Sequence, residues 1–259
     1  MRIQRLLSEI AIWAVVLLPA LVAPVSAETL VQSDVNARVM LAFRIAEPEV
    51  KRWLPEPWKV NPPSTGANKG ANLFLVFTER LLNQDPEGKT IPNGTDRFVG
   101  LAIPARNTQT EKTAVFVIRI FASNPDAVPG PYKNSKLAEV ARKFSASGAN
   151  AEPGASEDSW TVRSDSADEI SLHLKYQKAV PTRSKAEPHI YSSVEPTFFR
   201  VYRVDQGTDV VRSAPLGMDR VAEYRLQVSG PELSKLFDGT EELVGISIQP
   251  WYIRQIFLP

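Results

Sequence analysis

The sequence predicts a β-rich α+β fold, and three observations lead there. Apolar or alternating runs recur at short intervals along the chain after residue 27. Proline, at 21 of 259 residues, falls mostly between those runs, where short strands need breaks. The few stretches with helical spacing are only a turn or two long.

Before the fold begins, Arg2 and Arg5 precede an almost wholly apolar run over 10–22, and Val25-Ser26-Ala27 offers small residues for cleavage. This is the layout of a secretory signal peptide, so residues 1–27 are expected to be removed and 28–259 to fold as a single domain in the periplasm or outside the cell. An uncleaved anchor is the alternative, but the run is short for a membrane span and Pro19 interrupts it; no stable span is expected after cleavage.

Residues 39–45 give the first strand, with Val39, Leu41, Phe43 and Ile45 on one face and Arg38, Met40, Ala42 and Arg44 on the other. After Glu47-Pro48, the residues Val50, Trp53 and Leu54 share one helical stripe that Pro55 ends. The strand at 73–82 opens with apolar residues at every position from Leu73 to Phe77, as expected of a strand covered on both faces in the middle of the core. Further strands are expected at 98–103 and 114–121. A helix is expected over 135–144, where Leu137, Val140, Ala141 and Phe144 have helical spacing.

Residues 170–176 alternate Ile170, Leu172, Leu174 and Tyr176 with Ser171, His173 and Lys175, so one face should be wet. Strands at 198–204, 221–228, 244–248 and 251–258 follow. A turn opened by Ser229-Gly230-Pro231 should point Leu233, Leu236 and Phe237 inward and close at Gly239. Segments 61–70, 83–95, 145–159 and 178–196 read as loops, rich in Pro, Gly, Ser, Asn and Ala.

Composition removes several functions. There is no cysteine, so disulfides, thiolate metal sites and a cysteine nucleophile are excluded. Lys+Arg 30 against Asp+Glu 29, scattered along the chain, gives no footprint for nucleic acid. The two histidines, His173 and His189, have no metal-ligand spacing, and neither a phosphate-binding glycine loop nor a nucleophile elbow is present; no metal is expected. Among the aromatic residues only Trp251-Tyr252, after Pro250, suggests the rim of a pocket.

One stretch is more specific: Ala42-Phe43-Arg44-Ile45-Ala46-Glu47-Pro48-Glu49-Val50-Lys51-Arg52-Trp53-Leu54-Pro55-Glu56-Pro57-Trp58. A strand ending in arginine, an acidic helix start and a Pro-Glu-Pro stop resemble the opening of the acetoacetate decarboxylase family. Ala102-Ile103-Pro104 and Gly130-Pro131-Tyr132-Lys133-Asn134-Ser135-Lys136-Leu137-Ala138 are similar to later segments of that family, so the resemblance spans about residues 39–138. It implies a curved antiparallel sheet closed into a barrel or cone with a few short helices, a central cavity for a small organic acid, and no cofactor. Such enzymes need a lysine that is neutral at working pH, lowered by burial and a neighbouring cation, to attack a ketone. Here the family's lysine pair is not intact: Ser135 takes the nucleophile's place and Lys136 its neighbour's, leaving Lys136 as the closest amine. Asp96 is the residue that could stand in for the family's catalytic glutamate.

The resemblance assigns Arg44 to the bound acid, which a guanidinium fork suits; strand parity alone would equally leave Arg44 solvated. Glu79 and Arg119 continue apolar strand faces. They are either paired and functional inside a barrel or placed where their strands leave the core. The expected function is an exported acetoacetate decarboxylase-like protein that binds, and in one reading transforms by lyase chemistry, a small keto or carboxylic acid. The alternatives are a non-catalytic binding or accessory protein on the same scaffold, and an envelope scaffold recognised through its loops.

Overall fold

Long strands dominate the chain, as the recurrent alternation requires. The computed structural model describes residues 28–91, 95–124, 132–148 and 154–259. The leader expected at 1–27 lies outside the described residues. In order, the elements are β1 (Thr29–Arg44), α1 (Glu47–Lys51), β2 (Trp58–Val60), β3 (Leu73–Gln84), β4 (Asp96–Asn107), β5 (Thr113–Ala122), β6 (Ser135–Ala146), β7 (Ala155–Ser164) and β8 (Glu169–Gln177). There follow β9 (Thr182–Ala186), β10 (His189–Ser192), β11 (Phe199–Ser213), β12 (Met218–Asp219), β13 (Val221–Ser229), a 3-10 turn (Leu233–Lys235) and β14 (Glu242–Leu258).

Pairing closes the sheet. Starting from β5, the order β10, β11, β14, β1, β3, β4 returns to β5, a closed barrel of 7 strands. Most of its pairings are antiparallel; β5 with β10 is parallel. A barrel of this size has just enough interior for side chains or one small ligand. A short parallel pairing, Ile120 to Ser135 through Ala122 to Leu137, leads from β5 into a second antiparallel run, β6, β7, β8 and β13.

Two apolar layers result, one outside the barrel and one within. The outer layer joins Val39, Leu41 and Phe43 of β1, Leu73, Leu75 and Phe77 of β3 and Val99 and Leu101 of β4 to Trp160, Leu172 and Leu174 of the second run. Inside the barrel, Phe98, Ile120, Tyr132, Ile190, Tyr202, Tyr252 and Ile256 pack together. The β3 opening is therefore covered on both sides: Leu73, Leu75 and Phe77 are fully buried in the outer layer, while Val76 lines the barrel. Val50 of α1 and Leu233, Leu236 and Phe237 of the 3-10 turn are buried against the outer layer, as their spacing requires.

The helix expected over 135–144 is instead strand β6. Its inward positions are Ala138, Val140 and Arg142, while Leu137 and Phe144 are each 51% exposed. A charge at the third inward position hides the two-residue period, and the accidental helical spacing of Leu137, Val140, Ala141 and Phe144 takes its place. The two strands expected at 244–248 and 251–258 are one, β14, bulged where it passes β1. The segment 178–196 contains β9 and β10 as well as loop. β9 is exposed throughout, so it has no apolar signal to read.

Candidate functional site

The inner face of the barrel carries buried charge. Asp34, Asn36 and Arg38 of β1, Thr78 and Arg80 of β3, Asp96 of β4, and Tyr252 and Arg254 of β14 alternate with the outward core residues of the same strands. Arg254 grips Asp34 through Nε, at 3.0 and 3.2 Å, and through Nη2; both side chains are almost wholly buried. Asn36 donates to Asp34 at 2.7 Å. Arg80 lies 3.3 Å from Asp96. Burial pushes the Asp34 carboxyl up, but the charges and hydrogen bonds of Arg254, with Arg38 and Arg80 nearby, outweigh it and hold it below the ordinary value. For Asp96 burial wins over Arg80, and its pKa is raised.

Arg38 is the exception in this set. Its guanidinium makes no ion pair or hydrogen bond with any described residue, and its Nε is buried without a partner. It lies over the Tyr252 ring with Cζ 3.4 Å from the centroid, a cation–π contact. Burial lowers its pKa, yet an arginine stays protonated. Among the described residues of this set, three arginines, Arg38, Arg80 and Arg254, face two carboxylates, Asp34 and Asp96. Beside Arg38 is a cavity of about 160 Å³, walled by Val115, Val117, Ile120, Tyr132, Tyr202 and Tyr252 among others. That is room for about five water-sized groups, the scale of a two- to four-carbon acid.

Tyr132 reaches this cavity from the segment expected to carry the reactive amine. Ser192 donates to the Tyr132 carbonyl, and Asn134 donates to the Val117 carbonyl at 2.6 Å. Between them Lys133 takes φ +56°, so Tyr132 and Asn134 both turn inward and Lys133 outward. The Tyr132 hydroxyl shares a 2.8 Å hydrogen bond with that of Tyr202. Burial, reinforced by Tyr202, raises the Tyr132 pKa well above the ordinary phenol value, so the group is a neutral hydrogen-bonding phenol.

Of the residues singled out from sequence, Asp96 lies in the barrel beside Arg80, and the other four fall in three places. Arg44 pairs with Glu242 at 2.6 Å, each side chain about half exposed, and lines none of the described cavities. Arg119 and Lys136 meet at Glu232, which Arg119 grips directly and Lys136 approaches to 3.9 Å. That cluster lies outside the barrel, because the pairing jumps from Leu101–Arg119 to Ala102–Val117. The bulge at Ile118 turns Arg119 away from the face of Val115 and Val117 and sets it over Trp53. Lys136 therefore has no access to the barrel cavity, and Lys133 pairs with Glu195 at the surface. No lysine is among the described residues lining that cavity. Glu79 sits in a network with Arg97 at 2.6 and 2.8 Å and with Arg142, whose fork also holds Asp158. Burial pushes the Glu79 pKa up, but its two arginines hold it below the ordinary value.

Asp34, Arg38, Tyr132, Tyr202 and Arg254 were not singled out, although the parity of β1 places Arg38 on the face opposite the outer core. Of the aromatic pair Trp251-Tyr252, Tyr252 lines the barrel cavity; Trp251 points the other way and lies over Gly207, where a Cβ would come within 2.6 Å of the indole nitrogen. Among the described residues there is no cluster of ligands for a metal, and no helix is long and apolar enough to cross a membrane.

No protein-family model matches the chain, and no curated protein resembles it in sequence. Solved structures do resemble it in fold. An acetoacetate decarboxylase-like enzyme from Sphingomonas wittichii RW1 superposes with a TM-score of 0.54 at 10% identity, over 87% of this chain and 91% of that one. An acetoacetate decarboxylase from Legionella pneumophila gives 0.53 at 14% identity over 98% and 96%. The enduracididine biosynthesis enzyme MppR, complexed with pyruvate, gives 0.51 at 11% identity over 88% of each chain. The fold is the acetoacetate decarboxylase-like barrel.

Proposed function

We propose that the protein is an exported binder of a small carboxylic or keto acid, held in the barrel cavity by Arg38 and not attached through a lysine. The observation that carries this reading is the half-buried Arg38 beside an apolar cavity, its Nε buried without a partner and its guanidinium in no ion pair with a described carboxylate. A buried donor left unmet costs about 1–3 kcal/mol, so Arg38 is retained where a ligand supplies the missing anion. Arg254 cannot serve, since Asp34 already occupies its fork. Tyr252 fixes the Arg38 plane, and the Tyr132–Tyr202 hydroxyl pair offers a neutral donor for a second oxygen of the acid. Pyruvate, which MppR binds on this fold, is the natural first probe.

Decarboxylation through an iminium requires a neutral amine within reach of the ketone. No lysine is among the described residues lining the barrel cavity, which favours binding over lyase chemistry. Calorimetric titration with pyruvate and acetoacetate tests the proposal. The wild type should bind with one site, and Arg38→Met should weaken binding by about tenfold or more, the worth of a charge-assisted fork. Borohydride added with either keto acid should leave the protein mass unchanged. Equal affinity in Arg38→Met, or a reduced adduct on any lysine, would overturn the proposal.

A further inference from the structure

Arg38 lines a second cavity as well, and it is the one described residue common to both. The second cavity measures about 610 Å³, within the roughly 300–1,000 Å³ of ordinary ligand sites, whereas the barrel cavity alone falls below that range. Its walls include Phe144, Val180, Pro181, Ile248 and Pro250. Phe144 and Val180 are 51% and 82% exposed, large apolar groups that folding leaves uncovered beside a concave surface.

The carboxylates of this cavity are already neutralised. Glu79 is held by Arg97 and Arg142. Asp209 is held by Arg220 and accepts from the Ala179 backbone N–H at 2.8 Å. The charges left without a carboxylate are cations, Arg38, which lines both cavities, and Lys178 on the wall. The cavity therefore suits a molecule that is apolar along most of its length and anionic at one end.

We infer that the acid bound by Arg38 carries an apolar aliphatic or aryl tail, and that this tail lies in the larger cavity against Phe144, Val180 and Pro181. The inference rests on the assignment of Arg38 to the carboxylate and narrows the ligand to amphiphilic monocarboxylic acids. An acid of two or three carbons would fill the barrel side alone and leave the apolar wall wet.

A chain-length series of saturated monocarboxylates, propionate to octanoate, titrated calorimetrically into the full-length mature protein, tests it. Affinity should rise about two- to fourfold per methylene as successive groups leave water. Phe144→Ser, at a half-exposed position, should cut the octanoate-to-propionate affinity ratio by about tenfold. Arg38→Met should weaken every member of the series, and thermal melting verifies that both variants are folded. If octanoate binds no better than propionate, the tail assignment fails while the Arg38 assignment stands. If octanoate binds Arg38→Met as tightly as wild type, or loses affinity only in Lys178→Met, the carboxylate is held elsewhere and both fail. Absence of binding by every acid of the series would also refute both.

Discussion

Arg38 and Arg254 occupy the same barrel, yet their removal should shift stability in opposite directions. Arg38 has a buried Nε without a partner, an unmet group worth about 1–3 kcal/mol against folding. Its contact with the Tyr252 ring returns about 1–2 kcal/mol, and methionine keeps most of the apolar stem. Arg38→Met should therefore leave the ligand-free protein as stable as wild type or more stable by about 1 kcal/mol, raising Tm by about 2–4 °C for a domain of this size. Arg254→Met leaves Asp34, whose side chain is 0% exposed, as a buried carboxylate without its main partner. That should cost about 3–5 kcal/mol, a fall in Tm of about 6–20 °C. Urea unfolding with parallel thermal melts, in the absence of any carboxylate buffer, gives both values. Loss of more than about 1 kcal/mol in Arg38→Met would make Arg38 a structural residue and refute its assignment to a ligand.

Three further outcomes are expected. Asp34 has a folded pKa below its unfolded value of about 3.9, so its contribution is fully present above that pH and lost as pH falls through the depressed folded value. Melts between pH 2 and 7 should show this acid loss in wild type and a flatter limb in Asp34→Asn; identical slopes would mean the pair with Arg254 is not coupled to folding. Arg44→Ala should change pyruvate affinity by less than about twofold, because the Arg44–Glu242 pair is exposed and outside the cavities, and such pairs contribute about 0–1 kcal/mol; a larger loss would return the carboxylate to Arg44. N-terminal sequencing of the protein recovered from the periplasm should begin at Glu28, and an intact amino terminus in a membrane fraction would favour an anchor.

The outer core was legible because its residues follow a simple period. Val39, Leu41 and Phe43, and Ile170, Leu172, Leu174 and Tyr176, are buried where alternation puts them, and Leu73, Leu75 and Phe77 where the continuous apolar run puts them. The barrel lumen was not, since Asp34, Asn36, Arg38, Thr78 and Arg80 form a polar interior, and a polar interior has the same pattern as a polar exterior. Whether a sheet closes depends on pairings between distant strands, such as β1 with β14, which no local signal records. The bulge at Ile118 reversed the side on which Arg119 emerges, and Arg142 concealed the period of β6. The segment around Tyr132 was noticed for its lysines, although the residue that turns inward is the tyrosine, set by a positive φ at Lys133 that sequence does not announce. The family resemblance carried the fold further than it carried the site, because a barrel tolerates exchange of the residues within it.

A crystal of the wild-type protein soaked with pyruvate tests the barrel assignment most directly. The expected result is density for the acid inside the barrel, its carboxylate within hydrogen-bond distance of the Arg38 guanidinium, and its carbonyl carbon unattached to any side chain. Density continuous with a lysine, or an acid bound at Arg44 with the barrel cavity unfilled, would contradict it.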